Sequence, residues 1–322
     1  MSQEISQPPQ AVHFLILQGF SMLGLLAGVE PLRAANRFCP DLFTWQFVSV
    51  DGEPVTASND MAFEAQASLF DHLDVQTCIV CAGYHPEQHF DQRIFSWLRD
   101  RAREGCVLGG IDTGSIFLAK AGLLRGYRAT VHWEHLNAFR EDFTEVHITG
   151  ALYEIDRDRL TSSGGTSSLD MMLQLISVHH GYPLAVKVSE QFIHERIREP
   201  QDEQRMPISL RMQVHHPEVV RAIEIMEQNL QEPLSLQDIA ATVGLSSRQM
   251  SRVFQDNLDQ CPSSLYLKLR MERARQLLRQ TSMRILDIAF ACGFQSNAAL
   301  SRAYKSIYGY PPLQERRRMD DA

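Results

Sequence analysis

Hydrophobic residues along the chain follow two different spacings, which change near residue 200. In the first part, short apolar runs typical of buried strands alternate with stretches of helical spacing: the runs cover 12–17, 45–50, 77–82 and 106–109, and the helical stretches include 22–38 and 88–104. Strands that alternate with helices predict an open, mainly parallel sheet, and such sheets bind ligands beyond the carboxyl ends of their strands. We therefore expect an α/β domain over residues 11–197.

The second part of the chain keeps helical spacing only, which predicts an all-α domain over residues 216–318. Between the two parts, residues 198–215 interrupt the pattern with charged residues, glutamines, Pro200 and Pro207. Prolines and polar residues without periodicity are typical of a linker, so we expect a linker over this segment.

The all-α part contains an internal repeat. One group of residues recurs 49 positions later: Asp238, Ile239, Ala240 and Gly244 return as Asp287, Ile288, Ala289 and Gly293. A second group recurs 50 positions later: Ser246, Ser251, Arg252 and Pro262 return as Ser296, Ser301, Arg302 and Pro312. Each copy has a small alanine where two helices can cross, a glycine where the turn needs positive φ, and a serine that can cap the second helix. The repeat therefore predicts two helix-turn-helix units.

The second helix of such a unit lies in the major groove of DNA, so its outward residues are candidate base readers. In the first copy these are Ser247, Arg248, Gln249, Ser251 and Arg252. In the second copy they are Asn297, Ala298, Ser301 and Arg302. Met250, Val253, Phe254, Leu300, Ala303 and Tyr304 are expected to face the core.

Between the copies, residues 263–280 predict one long helix with an apolar stripe. Its other faces carry five cations: Lys268, Arg270, Arg273, Arg275 and Arg279. A row of cations on a helix is by itself typical of a solvated face. Next to two helix-turn-helix units, we instead expect phosphate contacts, with Arg273 as the main candidate.

The net charge of the two parts of the chain agrees with DNA binding by the second part. The whole chain carries −8, with −11 in residues 1–210 and +3 in residues 211–322. Residues 245–318 alone hold 13 basic against 5 acidic residues. The positive charge that DNA phosphates require is concentrated where the repeat lies.

The residues of the repeat resemble the AraC/XylS family of transcriptional regulators over about a hundred positions. The resemblance is carried by Gly244-Leu245-Ser246, Arg252-Val253-Phe254, Arg273-Ala274-Arg275-Gln276-Leu277-Leu278, Ala291-Cys292-Gly293-Phe294 and Gly309-Tyr310-Pro311-Pro312. It implies sequence-specific binding to double-stranded DNA, activation of transcription and contact with RNA polymerase. Where many members have an aromatic residue in the last recognition helix, this chain has Leu300.

In the α/β part, one strand runs directly into Asp112 and a helix begins at once, with Gly110 and Gly114 on either side. This is the pattern of a nucleophile elbow, which holds one side chain above the sheet. Together with residues 127–133 and 160–170, it resembles the PfpI-like class I glutamine amidotransferase domains over residues 11–195. The two domains in this order resemble the amidotransferase-like AraC subfamily, whose members respond to arginine, carnitine, glycine betaine and related metabolites.

Asp112 replaces the cysteine that catalytic members of that superfamily carry at the elbow, so thiolate chemistry is lost. We expect a non-catalytic effector pocket that needs no cofactor. The resemblance places Glu30 opposite the elbow, although a helix-surface position is the alternative. The N–H groups of Thr113 and Gly114 can face a ligand carboxylate. His132 and Trp133 complete the set, Trp133 as a cation-π face, unless it is an ordinary core residue.

The effector expected from these residues is a small zwitterion or cation, either of the carnitine and betaine type or arginine. A second hypothesis is an amidase or related hydrolase that acts at the elbow, with the DNA-binding domain as an accessory. Asp112 argues against the hydrolase. The subfamily resemblance also implies a homodimer formed through the amino-terminal domain.

Other features exclude further functions. Cys78 and Cys81 form a CxxC within a strand-like run without partner ligands, and His132 and His135 are a pair without a third ligand, so we expect neither a redox nor a metal site. No run of about 18 apolar residues and no signal-peptide pattern occurs, so we expect a cytoplasmic protein without a membrane segment.

Overall fold

The computed structural model describes residues 8–320, with side chains described as far as residue 316. The chain divides into two compact units, one up to Gln204 and one from Arg205 onward. Within the described residues, no helix has the length and apolar character needed to span a membrane.

The first unit is built on a seven-stranded sheet with the order β10-β11-β7-β6-β1-β2-β5. Its strands are β1 (Gln10–Ile16), β2 (Phe43–Ser49), β5 (Ala67–Ser68), β6 (Thr77–Cys81), β7 (Val107–Ile111), β10 (Tyr153–Asp156) and β11 (Arg159–Ser162). Every pairing is parallel except that of β10 with β11. Two short pairs lie outside this sheet: β3 (Val55–Thr56) with β4 (Ala62–Phe63), and β8 (Arg128–Ala129) with β9 (His147–Ile148). The predicted open, mainly parallel sheet is confirmed.

Helices cover both faces of the sheet. They are α1 (Met22–Phe38), α2 (Gln92–Arg103), α3 (Gly114–Lys120), α4 (Leu136–Asp142), α5 (Ser167–His180) and α6 (Tyr182–Gln191). Phe14 and Ile16 of β1 join the core under α1, α5 and α6, whereas Leu15 joins the core under α2 and α3. Because successive strand residues point to opposite faces, the central strands are apolar on both sides.

The same alternation explains the CxxC pair. Cys81 packs in the core under α1, and Cys78 packs in the core under α2. Both thiols are buried, and burial raises the pKa of Cys78 to about 12. Residues three apart on a strand face opposite sides of the sheet, so these two sulfurs are not placed to bond each other.

The second unit is all helical. It contains α7 (Ile208–Arg211), α8 (Pro217–Gln228), α9 (Leu236–Thr242), α10 (Ser247–Leu258), α11 (Pro262–Gln280), α12 (Ile285–Ala291), α13 (Asn297–Tyr308) and α14 (Pro312–Asp320). Helices α9 and α10 form the first helix-turn-helix, and α12 and α13 form the second. The predicted inward residues Met250, Phe254, Leu300 and Tyr304 are buried, and Met271, Ala274 and Leu278 form the buried stripe of α11.

Residues 198–215, which composition predicts as a linker, make several contacts with the two units. Arg198 binds the buried Asp170 through its backbone N–H at 2.8 Å and through its guanidinium at 2.6 Å. Gln204 donates to the carbonyls of Val131 and Ala151. Ile208, on the other side of the division, is buried in the core of the second unit. The reason is that a buried carboxylate such as Asp170 requires a charged partner, and Arg198 supplies it.

Candidate functional site

The elbow is formed by the turn between β7 and α3, where Asp112 has φ 61°. A Cβ on Gly110 would overlap the backbone N of Ser115, and one on Gly114 would overlap the carbonyl oxygen of Val80. Glycine is therefore required at both positions for α3 to start so close to the sheet. The left-handed conformation of a non-glycine residue is uncommon and is concentrated at functional turns.

The Asp112 carboxylate is held by its neighbours. It lies near the backbone N–H of Thr113, which partly offsets the effect of burial on its pKa. It also packs against Gly164, where φ is +87° and a Cβ would lie 2.9 Å from Asp112 Oδ2. The Thr113 hydroxyl donates to the carbonyl of Gly83 at 2.7 Å. The predicted contact of the Thr113 N–H with a ligand carboxylate stays a prediction.

A cavity of about 180 Å³ opens at this turn. Its polar walls are Ser21, Ser58, Asp112, His132, Glu134 and His135. Gly83, Tyr84 and Gly165 complete the lining. The charged groups of this lining are carboxylates, with no lysine or arginine among the lining residues.

Burial and the nearby charge of Glu134 raise the pKa of Asp112 to about 7. Burial lowers the pKa of His132, and burial with the charges of His132 and His85 lowers that of His135 to about 4. Both cavity histidines are therefore neutral near neutral pH, while Asp112 is divided between its acid and its carboxylate forms.

His135 is a buried ionisable group of the lining, with 7% of its surface exposed. Its backbone is hydrogen-bonded to His132 and Phe139. Among the hydrogen bonds of the described residues, none is made by its ring. A neutral imidazole has one donor and one acceptor nitrogen, and His135 belongs to the lining, so its ring can offer hydrogen bonds to a ligand.

Glu30 does not take its predicted place opposite Asp112. Its carboxylate binds Arg33 at 2.6 Å, and it is not part of the cavity wall. The side of α1 that faces the elbow strand is formed by Gly24 and Gly28. A Cβ added to either glycine would lie 3.0 Å from the Ile111 side chain. Two residues beyond Gly28, Glu30 is turned by about 200° to another face of the helix. The second carboxylate near Asp112 is instead Glu134.

Of the other predicted residues, His132 lines the cavity, whereas Gly114 and Trp133 do not. Trp133 packs near the His132 ring, with 5.5 Å between ring centroids. Sequence reasoning missed Ser21, Ser58, Glu134 and His135. Glu134 and His135 were visible as neighbours of His132, but Ser21 and Ser58 reach the cavity from elements far away in sequence. Within the described residues, no three His, Cys, Asp or Glu side chains are arranged to hold a metal ion.

The two helix-turn-helix units are built alike. Gly244 and Gly293 occupy the turns with φ of +75° and +74°. Ser246 and Ser296 cap α10 and α13 by accepting hydrogen bonds from the N–H groups of Gln249 and Ala299. These caps satisfy backbone donors that a helix start leaves open, which fixes where each recognition helix begins.

The predicted readers of α10 are all exposed, as are Asn297, Ala298 and Arg302 on α13, whereas Ser301 is half-buried. Arg252 is highly accessible, with 83% of its side chain exposed and Asp256 3.6 Å away. Gln249 is different because its Oε1 accepts from both the N–H and the hydroxyl of Ser246. Its carbonyl oxygen is therefore occupied by the capping box.

The cations of α11 correct the prediction of a phosphate-facing row. Arg270 donates to the carbonyls of Cys292 and Gly293, in the second turn, and stacks on Phe294 at 3.9 Å. Arg275 and Arg279 both bind the buried Glu315 of α14. These three arginines therefore make contacts within the helical unit. Of the other two cations, Arg273 is half-buried and Lys268 is exposed.

Comparisons with known proteins agree with both halves of the chain. Residues 10–178 match the model of the DJ-1/PfpI family, and residues 227–318 match that of a helix-turn-helix domain. The chain is 45% identical over 303 residues to the HTH-type transcriptional regulator CdhR of Pseudomonas aeruginosa, covering 94% of this chain and 90% of that one. It is 43% identical to the regulator GbdR of the same organism, covering 96% and 84%.

A solved structure of an AraC family transcriptional regulator from Pseudomonas putida has a TM-score of 0.52 at 29% identity, covering 57% of this chain and all of that one. The fold and the paired units define a DNA-binding transcriptional regulator. The chain belongs to the AraC-type helix-turn-helix regulators that carry an amino-terminal DJ-1/PfpI domain.

Proposed function

We propose that this regulator responds to a small cationic or zwitterionic metabolite bound at Asp112, and that it acts as an activator that contacts RNA polymerase. The observation that carries the proposal is a cavity with carboxylates and neutral histidines on its walls, next to an elbow without a thiol. The family resemblance supports a homodimer formed through the amino-terminal domain. Cationic groups are favoured because a paired carboxylate is cheaper to bury than a lone one.

On DNA, the two recognition helices are proposed to enter successive major grooves on one face of the duplex, about 34 Å apart. The equal caps and turns of the two units support equivalent docking of α10 and α13. Ser247, Arg248, Ser251 and Arg252 then read bases in the first groove, with Asn297, Ala298, Ser301 and Arg302 in the second. Arg273 is proposed to contact the phosphate backbone.

Arg252→Ala is expected to weaken binding to the cognate site by about 1–3 kcal/mol, because a guanidinium that reads a base is lost. Its affinity for unrelated DNA should change little. Arg273→Ala should instead weaken binding to every sequence and reduce the salt dependence. Titrations of both variants at several salt concentrations measure this, with the exposed Arg221 of α8 mutated to Ala as the control. An unchanged footprint in both variants would contradict the proposed docking.

Asp112→Asn is expected to remove most of the thermal stabilisation that a cationic ligand gives, because the carboxylate is its main attraction. Without ligand, the same substitution is expected to stabilise the protein. The pKa of Asp112 is raised from 3.8 to about 7, so in the wild type the ionised group costs more stability as the pH rises between these values. The variant without ligand should therefore gain stability over the wild type across that window.

Thermal-shift curves of the intact protein with amino acids, betaines and carnitine derivatives test this expectation. Asp100→Asn, which removes a carboxylate from an exposed ion pair with Arg103, is the matched control. Ligands that stabilise the wild type and Asp112→Asn equally would show that the cavity does not bind the effector. Hydrolase activity that disappears in Asp112→Asn would favour the alternative function, an enzyme acting at the elbow.

A further inference from the structure

We propose that the ligand of the elbow cavity carries its positive charge on a group with N–H donors, an amine or a guanidinium, and not on a quaternary ammonium. This inference rests on the proposed function, since it specifies the chemistry of the ligand at the same site. It is carried by the groups that line the cavity and by the ring of His135.

The cavity offers hydrogen-bond acceptors at several points of its wall. Asp112 and Glu134 supply carboxylate oxygens, and Ser21 and Ser58 supply hydroxyls. A primary ammonium has three N–H donors and a guanidinium has five, so these groups can satisfy several acceptors at once. Hydrogen bonds from a cation to a carboxylate are also shorter and about twice as strong as neutral ones.

A quaternary ammonium is recognised by a different kind of wall, a cage of aromatic faces. The Tyr84 side chain is an aromatic group of this lining, but 63% of the residue is exposed, so it lies at the rim. Trp133, which sequence reasoning assigned to this role, packs near His132 outside the lining. Among the described residues, the cavity therefore lacks the enclosing aromatic surface that a methylated cation needs.

The ring of His135 gives a second reason to expect a ligand with N–H donors. This ring is buried at the cavity wall and makes no hydrogen bond among the described residues. A buried polar group that stays without a partner after ligand binding costs free energy. A ligand with N–H donors can bond the acceptor nitrogen of this neutral imidazole, whereas a trimethylated nitrogen has no donor to offer.

The size of the cavity limits the ligand further. Its volume of about 180 Å³ is close to that of an engineered protein cavity of about 150 Å³ that binds benzene. A small amino acid, a short diamine or a guanidino compound is of this size. A ligand carboxylate, where present, can accept from the donor nitrogen of His135 or from the serine hydroxyls.

The inference is tested with matched compounds that differ only in methylation of the nitrogen. Calorimetric titration of the intact protein compares glycine with glycine betaine, ethanolamine with choline, and 4-aminobutyrate with its N-trimethyl derivative. L-arginine and agmatine serve as guanidinium probes. We expect the compound with N–H donors, or a guanidinium probe, to bind at least tenfold more tightly than any trimethylated compound. Equal or tighter binding of a trimethylated compound would overturn the inference and leave the cationic effector intact.

His135 variants give the second measurement. His135→Phe keeps a ring but removes both nitrogens, and it should weaken the best N–H donor ligand at least tenfold. His135→Gln keeps a donor and an acceptor and should restore most of the affinity, which a purely structural role of the ring would not predict. Trp133→Phe, outside the lining, is the control. Equal affinity in His135→Phe and wild type would overturn the role of His135. If no probe binds, the proposed effector class fails along with this inference.

Discussion

Gly293→Ala is expected to destabilise the DNA-binding unit much more than Gly244→Ala, although the two glycines occupy the same place in the repeats. Both have positive φ, so either alanine costs about 1–2 kcal/mol of backbone strain. At Gly293 a Cβ would also overlap Pro233 Cγ, lie 2.6 Å from Pro233 Cδ and lie 2.8 Å from the carbonyl oxygen of Leu230. At Gly244 no atom of the part of the chain that the structure describes lies within 4 Å of the added Cβ.

The overlap adds about 1–3 kcal/mol at Gly293, so we expect about 2–5 kcal/mol in total there. Urea unfolding of both variants measures the difference, followed by helical circular dichroism. Pro233→Ala in the Gly293→Ala background removes the proline ring atoms and should recover part of the loss. Equal destabilisation at the two glycines would contradict the close packing of Pro233 on the second turn.

Glu315→Gln is expected to cost about 2–4 kcal/mol of stability, because it removes a buried charge that four hydrogen-bonding partners share. One carboxylate oxygen accepts from Arg275 and Arg279, and the other from the hydroxyls of Tyr304 and Tyr310. Glu315 itself is only 1% exposed. The carboxylate therefore joins α11, α13 and α14, and its loss leaves two arginines without their common partner.

The pH dependence distinguishes this effect from a simple packing defect. Burial alone would raise the pKa of Glu315, but the hydrogen bonds from Tyr310, Tyr304, Arg279 and Arg275 outweigh it and lower the value from 4.5 to about 2. Because the pKa is lower in the folded state, the ionised carboxylate stabilises the fold fully above pH 4.5. This stabilisation is lost as the pH falls toward 2. The gap between wild type and Glu315→Gln should therefore narrow below pH 4.5.

The expected narrowing is tested by measuring the unfolding of both proteins between about pH 3 and pH 7, since this interval includes the usual pKa range of carboxyl groups. Asp256→Asn is the matched control, since it removes a carboxylate from the exposed pair with Arg252 and should cost less than about 1 kcal/mol. A gap that stays constant across this range would contradict the role of the ionised carboxylate.

Both predictions concern contacts that the sequence could not supply, although it predicted the elements that make them. Helical spacing located α1 and α11 almost to the residue, and the repeat located both turns. The spacing of hydrophobic residues identifies the buried side of a helix, but it does not show which other element packs against that side. The cations of α11 therefore suggested phosphate contacts, whereas Arg275 and Arg279 face Glu315, which is 36 to 40 residues away in sequence.

The elbow pocket shows the same limit. Asp112, Gly110 and Gly114 form a local pattern, because a tight turn with positive φ restricts residues that are adjacent in sequence. The walls of the cavity come from loops and helix ends distant in sequence, such as Ser58 and Tyr84. Glu30 was placed by resemblance alone, and the glycine face of α1 shows why it lies elsewhere.

The capping box of α10 limits how much information the protein can take from DNA. Gln recognises adenine with its amide as a pair, one oxygen accepting and one nitrogen donating. In Gln249 both lone pairs of the oxygen serve Ser246, so reading adenine would release the start of the helix. The corresponding residue of α13 is Ala299, which has no polar group to offer. In the proposed docking, both recognition helices would therefore read no base from this position, and discrimination between operators would rest on the remaining exposed polar residues, above all the arginines, whose preferred base is guanine.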